Sequence, residues 1–314
     1  MKALRLVTIT PQLLLEEVEM PLPEPQPGEV LVRVRATGVM PTEPFWDPTL
    51  HTKDGGPRNA PVLSHEFSGE IAACGDGVDG LAVGQEVYGM NDWYADGALA
   101  EYCVTKPDWI ANKPRSLSHE EAASVPISAL TARQALFQHG RLQPAERVLI
   151  HGGAGAVGMF AVQLAHSHGA WVATTVSASD VDFVKSLGAD ESVDYRATAF
   201  EQRGRDLDLV FDTVGGDTLR RSWQILKPGG RLVTIASTSE SETDQRVRQS
   251  FFIVEPNRTQ LVEVGNLLDT GKLRTAVGAV VPISRATDAY LGSFEKTKRG
   301  KLVVSTREWT NDIR

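Results

Sequence analysis

The residues best suited to chemistry gather in one stretch. Val148-Leu149-Ile150-His151 is a short apolar run that ends in Gly152-Gly153-Ala154-Gly155-Ala156-Val157-Gly158, and a helix-compatible run from Met159 to His168 follows at once. A glycine turn between a strand and a helix lets a pyrophosphate approach the backbone, and the helix N-terminus favours its negative charge. Gly152, Gly155 and Gly158 follow a GxxGxxG spacing rather than the strict GxGxxG form. Gly155 and Gly158 suit close approach of backbone to ligand and of helix to sheet. Gly153, Ala154, Ala156 and Val157 supply backbone contacts or packing in the same turn.

The end of the next strand discriminates between nicotinamide cofactors. It reads Ala173-Thr174-Thr175-Val176-Ser177-Ala178-Ser179, with no carboxylate at the place where an unmodified ribose would find its acceptor. Thr175, Ser177 and Ser179 carry hydroxyls that can donate to a 2′-phosphate. Arg196, after Tyr195, adds charge if its loop folds back. The expected cofactor is therefore NADP(H) rather than NAD(H). Asp212-Thr213-Val214-Gly215-Gly216 follows another apolar strand at the same predicted sheet edge, with Thr213 either lining the cofactor or serving as a turn residue. Phe251-Phe252-Ile253-Val254 places aromatics near the nicotinamide, at a subunit edge or in the core.

The elements that must position these residues fall into two rhythms. The first third reads as strands and turns: Lys2 to Thr8, Glu29 to Ala36 with its Val30, Val32, Val34 alternation, Glu66 to Cys74, Glu86 to Tyr88 and Leu99 to Val104. Pro21, Pro23, Pro25 and Pro27 exclude regular helix between the first two. Ser118-His119-Glu120-Glu121 resembles a capping box, and Pro126 interrupts the helical stretches after it. From Arg147 the pattern alternates strand and helix: Trp171 to Thr175, a helix over Asp180 to Leu187, Glu191 to Val193, Leu207 to Phe211, a helix over Leu219 to Leu226 closed by Pro228-Gly229-Gly230, and Arg231 to Ile235. Such βαβ repetition implies a parallel sheet covered by helices. Ser250 to Val254 reads as a strand, Arg258 to Leu268 as a helix, Ala276 to Val281 as extended, Ser284 to Leu291 as a short helix and Leu302 to Ser305 as a strand.

Composition narrows the function further. The 314 residues suffice for two domains with cores of their own. A net charge of −8, spread along the chain, argues against a general nucleic-acid or acidic-membrane binder. The basic cluster Lys296, Lys298, Arg299, Lys301 reads as solvated surface. Only Cys74 and Cys103 are present, outside any CxxC pair, so neither a disulfide framework nor a thiolate-rich zinc site is expected, and a reducing compartment fits. The start MKALRLVTIT, broken at Pro11, is too short and polar for a signal segment, and no eighteen-residue apolar run exists. Cytoplasmic residence is the resulting expectation.

Several motifs together resemble the medium-chain dehydrogenase/reductase superfamily, and within it the zinc-free quinone oxidoreductase or zeta-crystallin-like branch. They are Gly38-Val39-Met40-Pro41, Gly84-Gln85-Glu86-Val87-Tyr88-Gly89, Gly97-Ala98-Leu99-Ala100-Glu101-Tyr102, Leu130-Thr131-Ala132, the glycine turn, Leu187-Gly188-Ala189-Asp190, Phe211 to Gly216, and Gly300-Lys301-Leu302-Val303-Val304. The resemblance implies an α/β fold class. A GroES-like, mainly antiparallel β catalytic domain is split between residues 1–120 and 257–314, and a Rossmann-type parallel-sheet domain occupies residues 121–256. It also implies a homodimer, a small-molecule quinone or carbonyl substrate, and Lys301 among the cofactor-binding residues.

Within that resemblance, His65-Glu66 is similar to the histidine and glutamate of zinc alcohol dehydrogenases. The early loop Gly38-Val39-Met40-Pro41-Thr42 lacks their cysteine ligand, and the four-cysteine structural loop is absent, so no metal is expected. Met40 stands where zinc-free relatives often have asparagine, which implies a more apolar pocket. Glu43 stands where they often have aspartate, as a pocket or a structural carboxylate. The implied reaction is hydride transfer from NADPH to a quinone or an α,β-unsaturated carbonyl compound. His65 or Tyr88 is the candidate proton donor, with solvent as the alternative. Trp46, Trp93 and Tyr94 are candidate walls for a flat apolar substrate. The competing readings are an NADPH-dependent ketone or aldehyde reductase, and an NADPH-binding regulatory or structural protein without turnover.

Overall fold

Alternating and continuous apolar runs set the strand types in this computed structural model, which describes residues 1–9, 12–203, 205–239, 243–294 and 299–309. Pro11, Lys296 and Lys298, singled out above, lie outside the described residues. The first seven strands are β1 (Lys2–Thr8), β2 (Leu14–Glu19), β3 (Val30–Gly38), β4 (Glu66–Cys74), β5 (Glu86–Met90), β6 (Tyr102–Thr105) and β7 (Ile110–Asn112). A four-residue helix α1 (Asp47–Leu50) and α2 (His119–Ala123) accompany them. Ser118 caps α2 in a full capping box: its hydroxyl accepts from Glu121 N at 3.2 Å and the Glu121 carboxylate accepts from Ser118 N at 2.9 Å. The strand β2 was not foreseen, because LLEEVE buries only Leu15 fully and lacks a clean alternation.

The middle of the chain, Ser128–Glu255, forms a compact unit of its own. Entered through α3 (Pro126–Arg133), it contains β8 (Arg147–His151), α4 (Gly158–Ser167), β9 (Trp171–Val176), α5 (Val181–Ser186), β10 (Glu191–Asp194), β11 (Leu207–Asp212), α6 (Gly216–Ser222), β12 (Leu226–Thr234) and α7 (Gln245–Ser250). Its sheet is parallel, in the order β10-β9-β8-β11-β12. Every residue of the interior strand β11 is buried, as a parallel strand covered on both faces requires. Asp208 is tolerated there because it accepts from Arg147 N and pairs with Lys227. The expected helix over Leu219 to Leu226 ends earlier, at Ser222, followed by a 3-10 turn. Pro228-Gly229-Gly230 does not close a helix but lies within β12, where pairing jumps from Leu226 to Arg231, and Pro is admitted because β12 is an edge. The expected strand Ser250 to Val254 is reduced to one bridge, Phe251 with Thr234, since Ser250 closes α7.

The chain then returns through α8 (Arg258–Asp269), β13 (Val277–Pro282), α9 (Ala286–Tyr290) and β14 (Lys301–Ser305). Residues Met1–Ile127 and Pro256–Arg314 make the other compact unit. β14 pairs antiparallel with β3 and parallel with β13, completing a seven-stranded sheet in the order β13-β14-β3-β4-β5-β7, with β6 also on β3. One core of this unit joins Leu4, Leu6, Leu63, Leu99, Tyr290, Leu302 and their neighbours, so the return segment is needed to bury the N-terminal strands. No helix among the described residues is long and apolar enough to cross a membrane.

Candidate functional site

In the nucleotide unit the glycine turn hangs on the end of β9. Gly152 adopts φ +74°, a conformation that favours glycine, and donates to Thr175 O at 3.1 Å and to Thr175 Oγ1 at 3.2 Å. Gly153 N donates to Thr175 O at 3.2 Å. A Cβ at Gly153 would collide with Thr174, and one at Gly158 with the Gly152 carbonyl. Helix α4 begins at Gly158 with Val157 as its N-cap, so the end of the helix where backbone N–H groups run out of intrahelical acceptors follows directly on Ala156. Ala154, Gly155, Ala156 and Val157 keep partial or full exposure along the lip. A cradle of this shape fits a dinucleotide pyrophosphate.

His151, the last residue of β8, organises this turn from below. Its Nδ1 lies 3.1 Å from Thr175 Oγ1 and its Nε2 2.9 Å from Ser222 Oγ, while its ring meets Phe200 edge-on at 4.7 Å. Thr213 Oγ1 donates to the His151 carbonyl at 2.7 Å. Burial lowers the imidazole pKa to about 4, so the ring is neutral at physiological pH. Thr213 and Thr175 are thus internal braces. Thr175 is buried, with its hydroxyl already facing Gly152 N and His151, which corrects its assignment as a phosphate donor.

Beyond β9 the hydroxyls cluster. Ser177 Oγ lies 2.9 Å from Ser179 Oγ and donates to Asp180 Oδ2 at 2.5 Å. A carboxylate therefore does reach this edge, four residues beyond the buried Val176. Its only sequence signal was the Ser-x-x-Asp spacing. Tyr195 N donates to Val176 O at 3.2 Å, which brings the half-exposed Tyr195 ring beside the same strand end, with the Arg196 guanidinium 5.4 Å from its centroid. Phe252 is buried and stacked on His139 at 4.2 Å, with Gln134 bracketing Glu255 through both amide groups (2.7 and 3.0 Å).

In the catalytic unit a buried charge network replaces the expected acid. Glu43, on the 3-10 turn after β3, is fully buried. Its Oε1 accepts from Ser64 N at 2.7 Å and lies 2.5 Å from His65 Nδ1, while Tyr290 OH donates to Oε2 at 3.3 Å. His65 Nε2 is 3.2 Å from Ala95 O, so both polar edges of the ring are engaged inside the fold. Ser64 holds φ +74°, a strained conformation for a serine, and its hydroxyl is fixed by Gly38 O and by Thr37 Oγ1 at 2.6 Å. Next to it, Glu66 pairs with Lys301 and accepts from Ile127 N at 2.9 Å. Burial pushes the Glu66 carboxyl up, and the Lys301 ammonium pulls against that shift. Glycine is required at position 38 because a Cβ would overlap the Glu66 side chain.

Three assignments are corrected by this geometry. Lys301 is the buried counter-ion of Glu66, rather than a cofactor contact. Tyr88 is fully buried, its hydroxyl donates to Leu261 O at 2.6 Å, and burial drives its pKa up, so it anchors α8 instead of delivering protons. Glu43 likewise supports the site from within rather than facing an open pocket. Two of the three aromatics come together: Trp93 packs 5.3 Å from the His65 ring and Trp46 meets Trp93 edge-on at 5.4 Å. Tyr94 stays partly exposed, with Lys53 Nζ 5.5 Å from its ring centroid. Met40 is nearly buried. Phe45, 62% exposed beside Trp46, was missed because an isolated phenylalanine carries no pattern.

Comparison with known proteins bears on this arrangement. Residues 26–115 match the family model of the alcohol dehydrogenase GroES-like domain, and residues 187–304 that of zinc-binding dehydrogenases. The mitochondrial NAD(P)H oxidoreductase RTN4IP1 of Danio rerio is 32% identical, over 90% of this chain and 84% of the relative. The quinone oxidoreductase of Coxiella burnetii superposes with a TM-score of 0.87 at 31% identity, covering 98% of this chain and 99% of the other. The chain belongs to the medium-chain dehydrogenase/reductase superfamily, in its zinc-independent quinone oxidoreductase branch. The CurK enoyl reductase, 27% identical with a TM-score of 0.81 over 97% of this chain and 98% of its own, has the same fold. Members that carry a metal hold it with converging donors. Here His65 faces Glu43 and Glu66 faces Lys301, and among the described residues no group of three His, Cys, Asp or Glu forms a metal-sized site. The cytoplasmic expectation is corrected: the RTN4IP1 proteins of Danio rerio, Mus musculus, Homo sapiens and Bos taurus are named as mitochondrial. Scarce cysteine and the lack of an apolar span do not separate that compartment from the cytoplasm.

Proposed function

We propose that the chain is an NAD(P)H-dependent oxidoreductase that reduces a quinone or an α,β-unsaturated carbonyl compound. The observation that carries this reading is the closed pairing of Glu43 with His65 and of Glu66 with Lys301. With those groups engaged, the catalytic unit offers, among the described residues, no set of ligands for a Lewis acid to polarise a simple ketone. Quinones and enones accept hydride without that help, because the incoming charge spreads over a conjugated oxygen. A bound nicotinamide cofactor supplies the hydride, and the fold supplies orientation and electrostatics.

The residues of the chain do the positioning. The turn at Gly152–Gly158 and the first turn of α4 hold the pyrophosphate. Trp46 and Trp93, with Phe45 and Tyr94 at the rim, present flat apolar faces to a flat substrate. His65 and Tyr88 have their polar atoms bound inside the fold, so solvent is the source of the proton that completes enone reduction. A homodimer belongs to the same reading. The parallel sheet ends at β12, Phe251 adds one bridge beside it, and Ile253 stays half exposed. Light scattering on the purified chain tests that part.

The function is tested by anaerobic oxidation of NADPH and NADH over a panel of quinones, enones and saturated carbonyls, with product identification. Turnover with a quinone, or an enone returned with its carbon–carbon double bond reduced, is expected. Turnover confined to saturated carbonyls, or nucleotide binding without any oxidation, overturns the proposal.

A further inference from the structure

Three groups compete at the end of β9. Ser177 and Ser179 offer hydroxyls, Arg196 brings a positive charge beside Tyr195, and Asp180 brings a negative one. Asp180 occupies the N-cap of α5 but does not cap it, since its side chain accepts no hydrogen bond from the helix backbone. The carboxylate turns back instead and takes the Ser177 hydroxyl. The Asp180 N–H donates to Ser177 O at 2.9 Å, which fixes the turn that brings the two side chains together. A nucleotide seated on the glycine turn presents its adenosine ribose toward the end of the second strand. There the Ser177 hydroxyl is already spent on a carboxylate, and that carboxylate repels a second anion.

We propose that Asp180 is the residue that sets cofactor selectivity, holding the preference for NADPH down so that the protein takes both NADPH and NADH. The proposal rests on the reading of Gly152–Gly158 as the nucleotide site. A 2′-phosphate must draw Ser177 away from Asp180 and sit beside its charge, with Arg196, held next to Tyr195, to offset it. An unmodified ribose can instead donate its hydroxyls to the same carboxylate. Asp180 thus favours one nucleotide through hydrogen bonding and penalises the other through charge, while leaving the pyrophosphate contacts common to both.

Equilibrium titration of NADPH and NADH, followed by nicotinamide fluorescence, separates the possibilities without requiring turnover. The wild-type protein should bind both nucleotides with affinities within about tenfold of each other. Asp180→Asn keeps the shape and removes the charge, and should raise the NADPH:NADH affinity ratio by about tenfold. Ser177→Ala should weaken NADPH more in the Asp180→Asn background than in the wild type, where the hydroxyl is engaged. A ratio unchanged by Asp180→Asn, with both nucleotides still bound, overturns the proposal and leaves the nucleotide site intact. Failure of the wild-type protein to bind either nucleotide overturns the reading of the glycine turn, and the proposal with it. Circular dichroism of each variant checks that the unit is folded.

Discussion

The glycine turn of the nucleotide unit and the ion-pair network of the catalytic unit solve opposite problems. The turn omits side chains so that its backbone packs closely: a Cβ at Gly153 would collide with Thr174, and one at Gly158 with the Gly152 carbonyl. The network fills its space with charge and spends all of it internally, Glu43 on Ser64, His65 and Tyr290, and Glu66 on Ile127 and Lys301. One region leaves its lip at Ala154 to Val157 at least partly exposed, and the other closes its polar groups on one another. In this chain, therefore, a histidine and glutamate in a metal-type motif indicate a self-compensated scaffold.

The largest effect should come from closing the turn. Gly158→Val forces the backbone to move and should cost roughly 4 kcal/mol of stability in a urea melt, with loss of nucleotide binding. Retained binding would show that the turn is not the site. Breaking the network comes next. Glu43→Ala strands His65 and the Ser64 N–H in a buried space and should cost about 3 kcal/mol, whereas the isosteric Glu43→Gln should cost less. Equal losses for the two would mean that packing, rather than charge, holds this region.

Acid separates the units on a smaller scale. The His151 pKa is lowered by burial from 6.5 to about 4, so the unfolded chain binds a proton that the folded chain refuses. Stability from this group is complete above pH 6.5 and falls as pH drops toward 4, by roughly 3 kcal/mol at most, at about 1.36 kcal/mol per pH unit. Melts across that window should show the decline, and His151→Gln should flatten it. The smallest change is expected from Tyr88→Phe. It removes the bond to Leu261 O and should cost about 1 kcal/mol without altering kcat. A large fall in kcat would restore Tyr88 as a proton donor.

How much could be read in advance follows from the same contrast. The turn was legible because its strand, glycines and helix are contiguous from Val148 to Ser167, and the βαβ rhythm after it needs only local pattern. The network was not, because its members at positions 43, 64, 66, 290 and 301 meet only when β14 and α9 return to the first sheet. Reading Lys301 as a cofactor contact failed for that reason: sequence distance hid its partner, Glu66. His151 and Asp180 were missed on a finer scale. Their roles depend on side chains turning inward to Ser222 and back to Ser177, directions that strand and helix patterns do not specify. Residues 228–230 misled for a local reason, since Pro-Gly-Gly ends a helix in most contexts but loops out of an edge strand here.

With the His65–Glu43 and Glu66–Lys301 pairs closed, the chemistry should be independent of metal. The decisive measurement is NAD(P)H oxidation with a quinone by protein dialysed against a chelator, with zinc content determined on the same sample and again after zinc is restored. The rate should be undiminished at substoichiometric zinc and should not rise on its return. A rate that falls with chelation and recovers in proportion to bound zinc would contradict that independence.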